Sequence, residues 1–170
     1  NIFERPVLLT ENVSEYTEYS LIDLEGDESL DFVGMRGMPG EIVAFKNNGD
    51  NEFIVTVIYD VGGGFSDLRV LDIDGDGDQD ISYNHSGSIV KWLENDGTGS
   101  FTAGIIFDDA ISISGYEHFD RDGDGDLDIY IYESPATISY LENLGDGDYG
   151  PQTDMTDTYP NMDQLISFDD

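Results

Sequence analysis

Acidic residues recur at alternate positions in three short segments of the chain. Each segment spans nine residues and carries acidic side chains at positions one, three, five and nine. The three segments are Asp23–Asp31, Asp72–Asp80 and Asp120–Asp128. Glycine at positions four and six of the second and third segments permits the backbone angles that a tight curl needs. A segment curled in this way directs every second side chain, and so its carboxylates, toward one point.

Carboxylates gathered at one point suit a hard divalent cation, since calcium takes six to eight oxygen ligands at about 2.3–2.6 Å. Without a cation, unit charges about 4 Å apart repel by roughly 1 kcal/mol per pair even in water. The segments therefore predict Ca2+ sites, with the residue at position seven giving its backbone carbonyl. The predicted ligands are Asp23, Glu25, Asp27, Ser29, Asp31, Asp72, Asp74, Asp76, Asp78, Asp80, Asp120, Asp122, Asp124, Asp126 and Asp128.

The first segment departs most from the shared pattern. Glu25 stands at position three, Glu28 replaces the glycine at position six, and Ser29 stands at position seven. We expect its calcium site to be the weakest of the three. An EF-hand is excluded for the other two segments, because position twelve is Tyr83 or Ile131 rather than the glutamate that this motif requires.

The acidic segments belong to an internal repeat of 48 or 49 residues. An Asn-x-Gly turn follows an aromatic residue in each copy, and Trp92 aligns there with Phe45 and Tyr140, which predicts that Trp92 packs between repeats. A second series of aromatic residues keeps the same period: Phe3, Phe53, Phe101 and Tyr149. The ending Phe168-Asp169 matches Phe119-Asp120 and resembles the start of a fourth copy.

Short runs of alternating apolar and polar residues, rich in β-branched and aromatic types, predict four strands in each copy. Four antiparallel strands repeated every 40–50 residues are typical of a propeller blade. We therefore predict an all-β chain, residues 1–170, of three full β-propeller-type blades at about 15–60, 65–108 and 113–155. The acidic segment would be the hairpin between the first and second strands. Residues 1–9 and 164–170 are predicted to be strands of adjoining blades, in a partial or assembling propeller.

The acidic loops and the turns Trp92–Phe101 and Tyr140–Tyr149 resemble FG-GAP/VCBS-type repeats, the calcium-binding blades of integrin α-subunits and of many secreted bacterial proteins. The resemblance implies a propeller in which calcium stabilises a hairpin at the rim of each blade. It also implies an extracellular or cell-surface setting. Proteins of this kind serve in adhesion, in carbohydrate recognition and as scaffolds beside catalytic modules, so the fold alone does not select a function.

Composition excludes several classes of partner. The chain has 38 acidic residues against 6 Lys and Arg, a formal charge of −32. Nucleic acids and anionic membrane surfaces need basic patches, so neither is expected to bind. No apolar run reaches the roughly 18 residues of a membrane-spanning helix, and the absence of cysteine excludes disulfides and thiolate ligands.

Three functional hypotheses remain, none of them catalytic, because no catalytic motif is recognisable. The first is a calcium-dependent structural or adhesive module that binds a protein partner or copies of itself through its terminal strands, forming a ring or filament. The second is a lectin-like propeller, and the third is a non-catalytic scaffold of a polysaccharide-degrading enzyme. His85 and His118 are predicted to face solvent or to cap. Four tyrosines could stack on a sugar if exposed: Tyr16, Tyr19, Tyr116 and Tyr132.

Overall fold

A computed structural model describes residues 13–48, 52–109, 112–134 and 137–155 of the chain. A 3-10 helix at Val13–Glu15 precedes three four-stranded sheets. The first sheet contains β1 (Tyr16–Ile22), β2 (Asp31–Arg36), β3 (Glu41–Asn47) and β4 (Phe53–Asp60). The second contains β5 (Phe65–Leu71), β6 (Asp80–His85), β7 (Ile89–Asn95) and β8 (Phe101–Asp108). The third contains β9 (Ile113–Phe119), β10 (Asp128–Glu133), β11 (Thr137–Leu141) and β12 (Thr153–Asp154).

Every sheet is an antiparallel meander in which neighbouring strands follow one another along the chain. This arrangement confirms the predicted fold class of three propeller-type blades with four strands each. Over the part of the chain that the structure describes, the sheets do not close into a ring. No helix in the same part is long and apolar enough to cross a membrane.

The acidic segments are the hairpin connections between the first and second strands, as predicted. The aspartate at position nine is in each case the first residue of the second strand. It pairs with the last residue of the first strand: Ile22 with Asp31, Leu71 with Asp80, and Phe119 with Asp128. Each acidic loop is therefore anchored at both ends by a strand of its own sheet.

The repeated aromatic residue begins the fourth strand in the first two sheets and precedes it in the third. In every sheet it pairs with an asparagine at the end of the third strand or just after it. The pairs are Asn47 with Phe53, Asn95 with Phe101, and Asn143 with Tyr149. The remaining member of the aromatic series, Phe3, lies outside the described residues. In the third sheet the fourth strand is reduced to Thr153–Asp154, because Gly150-Pro151 interrupts it and proline has no N–H for the ladder.

Two apolar clusters lie between the sheets. Ile22, Val33, Met35 and Ile42 of the first sheet pack against a group in the second, namely Ile81, Tyr83 and Leu93. On its other side the second sheet packs Val90, Trp92 and Phe107 against residues of the third, namely Ile113, Tyr116, Ile129, Ile131 and Leu141. Each sheet thus has one apolar face for the preceding sheet and one for the following sheet.

Trp92 is 8% exposed and packs between the second and third sheets, as predicted. Its alignment with Phe45 was wrong by one residue. Phe45 pairs with Phe32, and the corresponding pair in the second sheet is Leu93 with Ile81, so Ala44 is the equivalent of Trp92. Because successive strand residues point to opposite faces, Phe45 lies on the face opposite to that of Trp92.

Polar contacts supplement the apolar cluster between the second and third sheets. The hydroxyl of Tyr116 donates to the carbonyl of Asp67 at 2.6 Å and lies 3.0 Å from the hydroxyl of Ser82. His118 Nε2 lies 3.1 Å from the same serine hydroxyl, and burial lowers the pKa of His118 to about 3. His118 is therefore an internal residue between sheets, and the prediction of a solvent-facing or capping histidine was wrong for it.

Tyr116 and Tyr83 offer a matched test of these polar contacts. Both side chains are fully buried, but among the described residues the Tyr83 hydroxyl has no hydrogen-bond partner. We expect Tyr116→Phe to lower the free energy of unfolding by about 1–2 kcal/mol, because a partly buried carbonyl, that of Asp67, loses this donor. Tyr83→Phe should leave stability unchanged or raise it. Urea denaturation of both variants measures the difference, and an equal loss in the two would contradict the prediction.

Candidate metal centre

The aspartate at position nine is the most buried carboxylate of each acidic loop. Asp80 is fully buried, and its two oxygens accept different backbone bonds, from Ile73 N–H at 2.9 Å and from Asn95 N–H at 2.8 Å. The first partner lies within the loop, and the second ends the third strand of the sheet. The other two loops repeat both bonds, Asp31 with Leu24 and Asn47, and Asp128 with Arg121 and Asn143.

The aspartate at position one curls the loop around its own carboxylate. Asp72 accepts bonds from the N–H groups of Gly75 and Gly77 at 2.8 and 3.0 Å. Asp120 accepts the equivalent bonds in the third loop, from Gly123 and Gly125 at 2.7 and 3.2 Å. The second glycine of each loop has a φ near +100°, a backbone conformation that side chains with a β-carbon rarely adopt.

Curling brings three carboxylates together in two of the three loops. Asp72, Asp74 and Asp80 place one oxygen each within 4.8 Å of the others. Two ligands of one calcium ion lie no more than about 5 Å apart, twice the metal–oxygen distance, so this spacing fits a shared calcium ion. The third loop gathers a set of the same size: Asp120, Asp122 and Asp124. These residues would hold the ion, with backbone carbonyls and water completing its shell.

The cluster of the second loop holds carboxylates whose ionised form is disfavoured. Burial raises the pKa of Asp80 to about 7, and burial also raises the pKa of Asp74. Asp76 and Asp72 lie close enough to Asp74 to add to that rise. A bound divalent cation is the largest local charge in such a site and favours the ionised carboxylates. A bound cation would therefore offset the burial and repulsion that disfavour the ionised carboxylates of this cluster.

The first loop is built differently. Glu25, at position three, forms an ion pair with Lys46 of β3. Among the described residues, the acidic groups of this loop do not form a cluster like the other two. Lys46 occupies the place that Glu94 and Glu142 take in the other sheets. The first loop therefore carries its own cation where the others carry a further carboxylate.

The backbone of the first loop also differs. Asp23 accepts bonds from Asp27 and Glu28 at 3.0 and 2.8 Å, so one bond comes from position five rather than position four. Ser29 donates its N–H to Asp27 at 2.8 Å, and its predicted carbonyl contribution to a metal stays a prediction. Glu28 takes a φ of 68° at the position that is glycine in the other loops. The loop keeps its shape there against the preference of its residue type.

The aspartates at position seven direct their side chains toward neighbouring turns. A β-carbon at Gly97, in the turn after β7, would overlap the carboxylate of Asp78. Asp126 lies less closely against two glycines, Gly145 in the turn after β11 and Gly75 in the second acidic loop, where a β-carbon would meet its carboxylate at ordinary contact distance. The prediction that Asp78 and Asp126 supply backbone carbonyls to a metal is not tested by these contacts. Asp76, at position five, accepts the Asp78 N–H at 2.8 Å and lies outside the cluster of its loop.

A repeated asparagine connects the loops of neighbouring sheets, and the sequence did not reveal this role. Asn95 Nδ2 donates to the carbonyl of Gln79 in its own loop and to that of Leu24 in the first loop, both at 3.2 Å. Asn143 donates likewise to Leu127 at 3.3 Å and to Ile73 of the second loop at 2.9 Å. The repeat of this asparagine was visible, but only the packing of the sheets shows that it bridges two of them.

The tyrosines proposed as sugar platforms do not form one site. Tyr16 and Tyr116 are buried in apolar clusters and cannot stack on a ligand. Tyr19 and Tyr132 are 44% and 37% exposed, but they belong to the first and third sheets. These four tyrosines therefore do not form the group of exposed aromatic rings that a lectin-like site needs.

The sheets and their acidic hairpins define the chain as a protein of β-propeller-type repeats. The model of one family, the FG-GAP-like repeat, matches residues 23–83 and again residues 72–131. The two matches cover more than half of the chain, which therefore belongs to the FG-GAP-like repeat family. Each match begins on the first aspartate of an acidic loop and ends beyond the next loop. No curated protein and no solved structure is significantly similar to the chain.

Glu28 provides a test of backbone strain in the first loop. We expect Glu28→Gly to raise the free energy of unfolding by about 0.5–1 kcal/mol, because glycine adopts a positive φ without steric cost. Glu28→Ala is the matched control, since it removes the same charge but keeps the β-carbon. Thermal unfolding should place the glycine variant above both the alanine variant and the wild type. Equal stability of the two variants would assign any gain to charge.

The bridging asparagine provides a second test. We expect Asn95→Ala to lower the free energy of unfolding by about 1–3 kcal/mol, because the buried carbonyl of Leu24 and the partly buried carbonyl of Gln79 lose their donor. Asn47 is the repeat control, since its amide donates to Leu30 of its own loop, at 3.4 Å in an exposed position. Chemical denaturation should show a smaller loss for Asn47→Ala. A loss as large as that of Asn95→Ala would contradict a role between sheets.

Proposed function

We propose that the chain is a calcium-binding structural module in which the second and third acidic loops each hold one ion. The observation that carries the proposal is the convergence of three carboxylates within 4.8 Å in each of these loops. Hard oxygen donors in this number match calcium better than transition metals, which favour nitrogen and sulfur ligands. The first loop is proposed to remain without an ion, because Lys46 already pairs with Glu25.

The proposed role of the ion is to hold the hairpin between the first and second strands. In the second loop, Asp72 and Asp74 lie between the strands and Asp80 begins β6. Asp80 is also bonded to Asn95, which reaches the first sheet. An ion bound to these carboxylates would therefore stiffen both a hairpin and a contact between sheets, and calcium binding and folding would be linked.

We further propose an extracellular or cell-surface setting, where calcium is plentiful, and a structural or adhesive role rather than catalysis. A module with a charge of −32 repels itself when compact, and bound cations reduce this repulsion. The partner is proposed to be a protein or further copies of the chain. The terminal strands predicted at residues 1–9 and 164–170 lie outside the described residues, so pairing through them stays a prediction.

Thermal unfolding with excess calcium and with a chelator tests the proposed function. Each site should add about 2.7 kcal/mol when calcium exceeds its dissociation constant a hundredfold, so the midpoint should rise clearly with calcium. Magnesium should produce a smaller rise, because it demands a compact octahedral shell and gives up its waters reluctantly. An unchanged midpoint between calcium and chelator would disprove the proposal.

Matched variants assign the calcium effect to the loops. Asp72→Asn and Asp120→Asn should each remove about half of the calcium-dependent rise, and the double variant should remove nearly all of it. Asp23→Asn makes the same chemical change at the same position of the first loop, and it should leave the rise intact. A loss of the rise in Asp23→Asn would show that the first loop also binds the ion. Circular dichroism without calcium verifies that each variant folds.

A further inference from the structure

Two outer faces of the stacked sheets are apolar, and within residues 13–155, as far as the structure describes them, no neighbouring sheet covers them as it covers their equivalents. We call the side of a sheet that faces the preceding sheet its front face, and the opposite side its back face. In the second sheet the front face includes Ile81, Tyr83 and Leu93, and the back face includes Val90 and Trp92. The front face of the first sheet and the back face of the third are the end faces.

The back face of the third sheet repeats the residues by which the second sheet contacts it. Phe119 is the equivalent of Leu71, and Tyr140 is the equivalent of Trp92. Leu71 and Trp92 pack against the third sheet, whereas Phe119 is 59% exposed and Tyr132, on the same face as Phe119, is 37% exposed. Tyr130 joins Phe119 and Tyr140 in one row of rings, with centroids 6.4 and 6.2 Å apart.

The front face of the first sheet is apolar in the same way. Phe32, the equivalent of Ile81, stacks on Phe53 with ring centroids 5.5 Å apart. Three further side chains of this face remain open to solvent: Tyr19 at 44%, Leu21 at 51% and Val57 at 44%. Their strand partners Gly34, Phe32 and Val43 show that they point to the front side.

We propose that the front face of the first sheet binds the back face of the third sheet in a second copy of the chain. The partner is chosen by continuity, because a front face packed on a back face already occurs twice within one chain. The end faces supply both halves of a third such contact. Two copies joined at both ends bring together six sheets, a number typical of closed propellers.

This contact is head-to-tail, so it forms a ring if the rotation between copies closes and a filament if it does not. It deepens the part of the proposed function that concerns partners, and it replaces pairing of strand edges with packing of sheet faces. It does not depend on the metal sites, since none of the clustered aspartates belongs to the end faces.

Charge opposes the association but not at the faces themselves. Each copy carries −32, so two copies repel each other at low salt. On the end faces, however, Arg36 lies over the ring of Tyr16 at 5.9 Å and Arg121 lies over the ring of Tyr140 at 4.4 Å. The association constant should therefore increase with salt, which is the opposite of an ionic contact.

Sedimentation velocity of the full chain, with calcium present and over a range of protein and salt concentrations, tests the proposal. The wild type should form dimers or longer assemblies that dissociate on dilution. Leu21→Glu changes the front end face, and Phe119→Glu changes the back end face. Each should weaken self-association by at least about 100-fold, because a charge would be buried without a partner in an apolar contact.

Two further variants control for added charge on an exposed apolar residue. Leu30→Glu and Ile105→Glu alter side chains that are 57% and 59% exposed and lie off the end faces, so both should associate like the wild type. Mixing provides the sharpest arm of the experiment. Leu21→Glu and Phe119→Glu should each be monomeric alone, yet they should form a heterodimer when mixed, because one intact front face then meets one intact back face.

Three results would overturn the proposal. A wild type that stays monomeric at every concentration shows that the end faces do not bind each other. Association that persists in both end-face variants assigns it to another surface, such as the terminal strands. Failure of the mixed variants to associate shows that an intact front face does not bind an intact back face. Repeating the wild-type run with a chelator separates this test from the proposed function, since loss of the metal sites should leave the faces able to bind.

Discussion

Two hydrogen bonds accepted by one buried carboxylate connect the parts of each repeat. Asp80 binds the loop through Ile73 and the end of the third strand through Asn95. A buried carboxylate is costly unless it is fully hydrogen-bonded, so the loop and the strand must both be in place for either to be stable. Asn95 extends the connection to Leu24 in the preceding sheet. The contact between the first two sheets is therefore connected, through Asn95, to Asp80 of the candidate metal centre.

The three loops show two ways to balance a concentration of negative charge. The first loop uses a side chain of its own sheet, since Lys46 pairs with Glu25. The second and third loops have glutamate at the position of Lys46, and their aspartates converge instead. An ion is the remaining source of positive charge for these two loops. A lysine on the neighbouring strand, together with the changed residues of the loop itself, thus distinguishes the first loop from the two that suit a metal.

The repeat also makes the outer faces of the first and third sheets apolar. The second sheet is apolar on both faces because it packs between the first and the third. The same residue types continue to the first and last sheets, where Leu21 and Phe119 are more than half exposed. A terminal repeat with a polar outer face would not accept a further sheet, whereas the outer faces of the first and third described sheets are apolar.

The sequence by itself determined the repeat, the four strands of each sheet and the position of the acidic hairpins, because these depend on periods of two residues and on local turn chemistry. It also located Asp72, Asp74 and Asp80 as ligands that could act together, since neighbouring residues in a curled loop are near each other by necessity. Contacts between distant segments were decided by the tertiary structure. The pairing of Glu25 with Lys46 and the bridge from Asn95 to Leu24 join residues more than twenty positions apart, so no local pattern reports them. The one-residue error at Phe45 has the same cause, because the face of a strand residue is decided by the register of its partner strand and not by the strand alone.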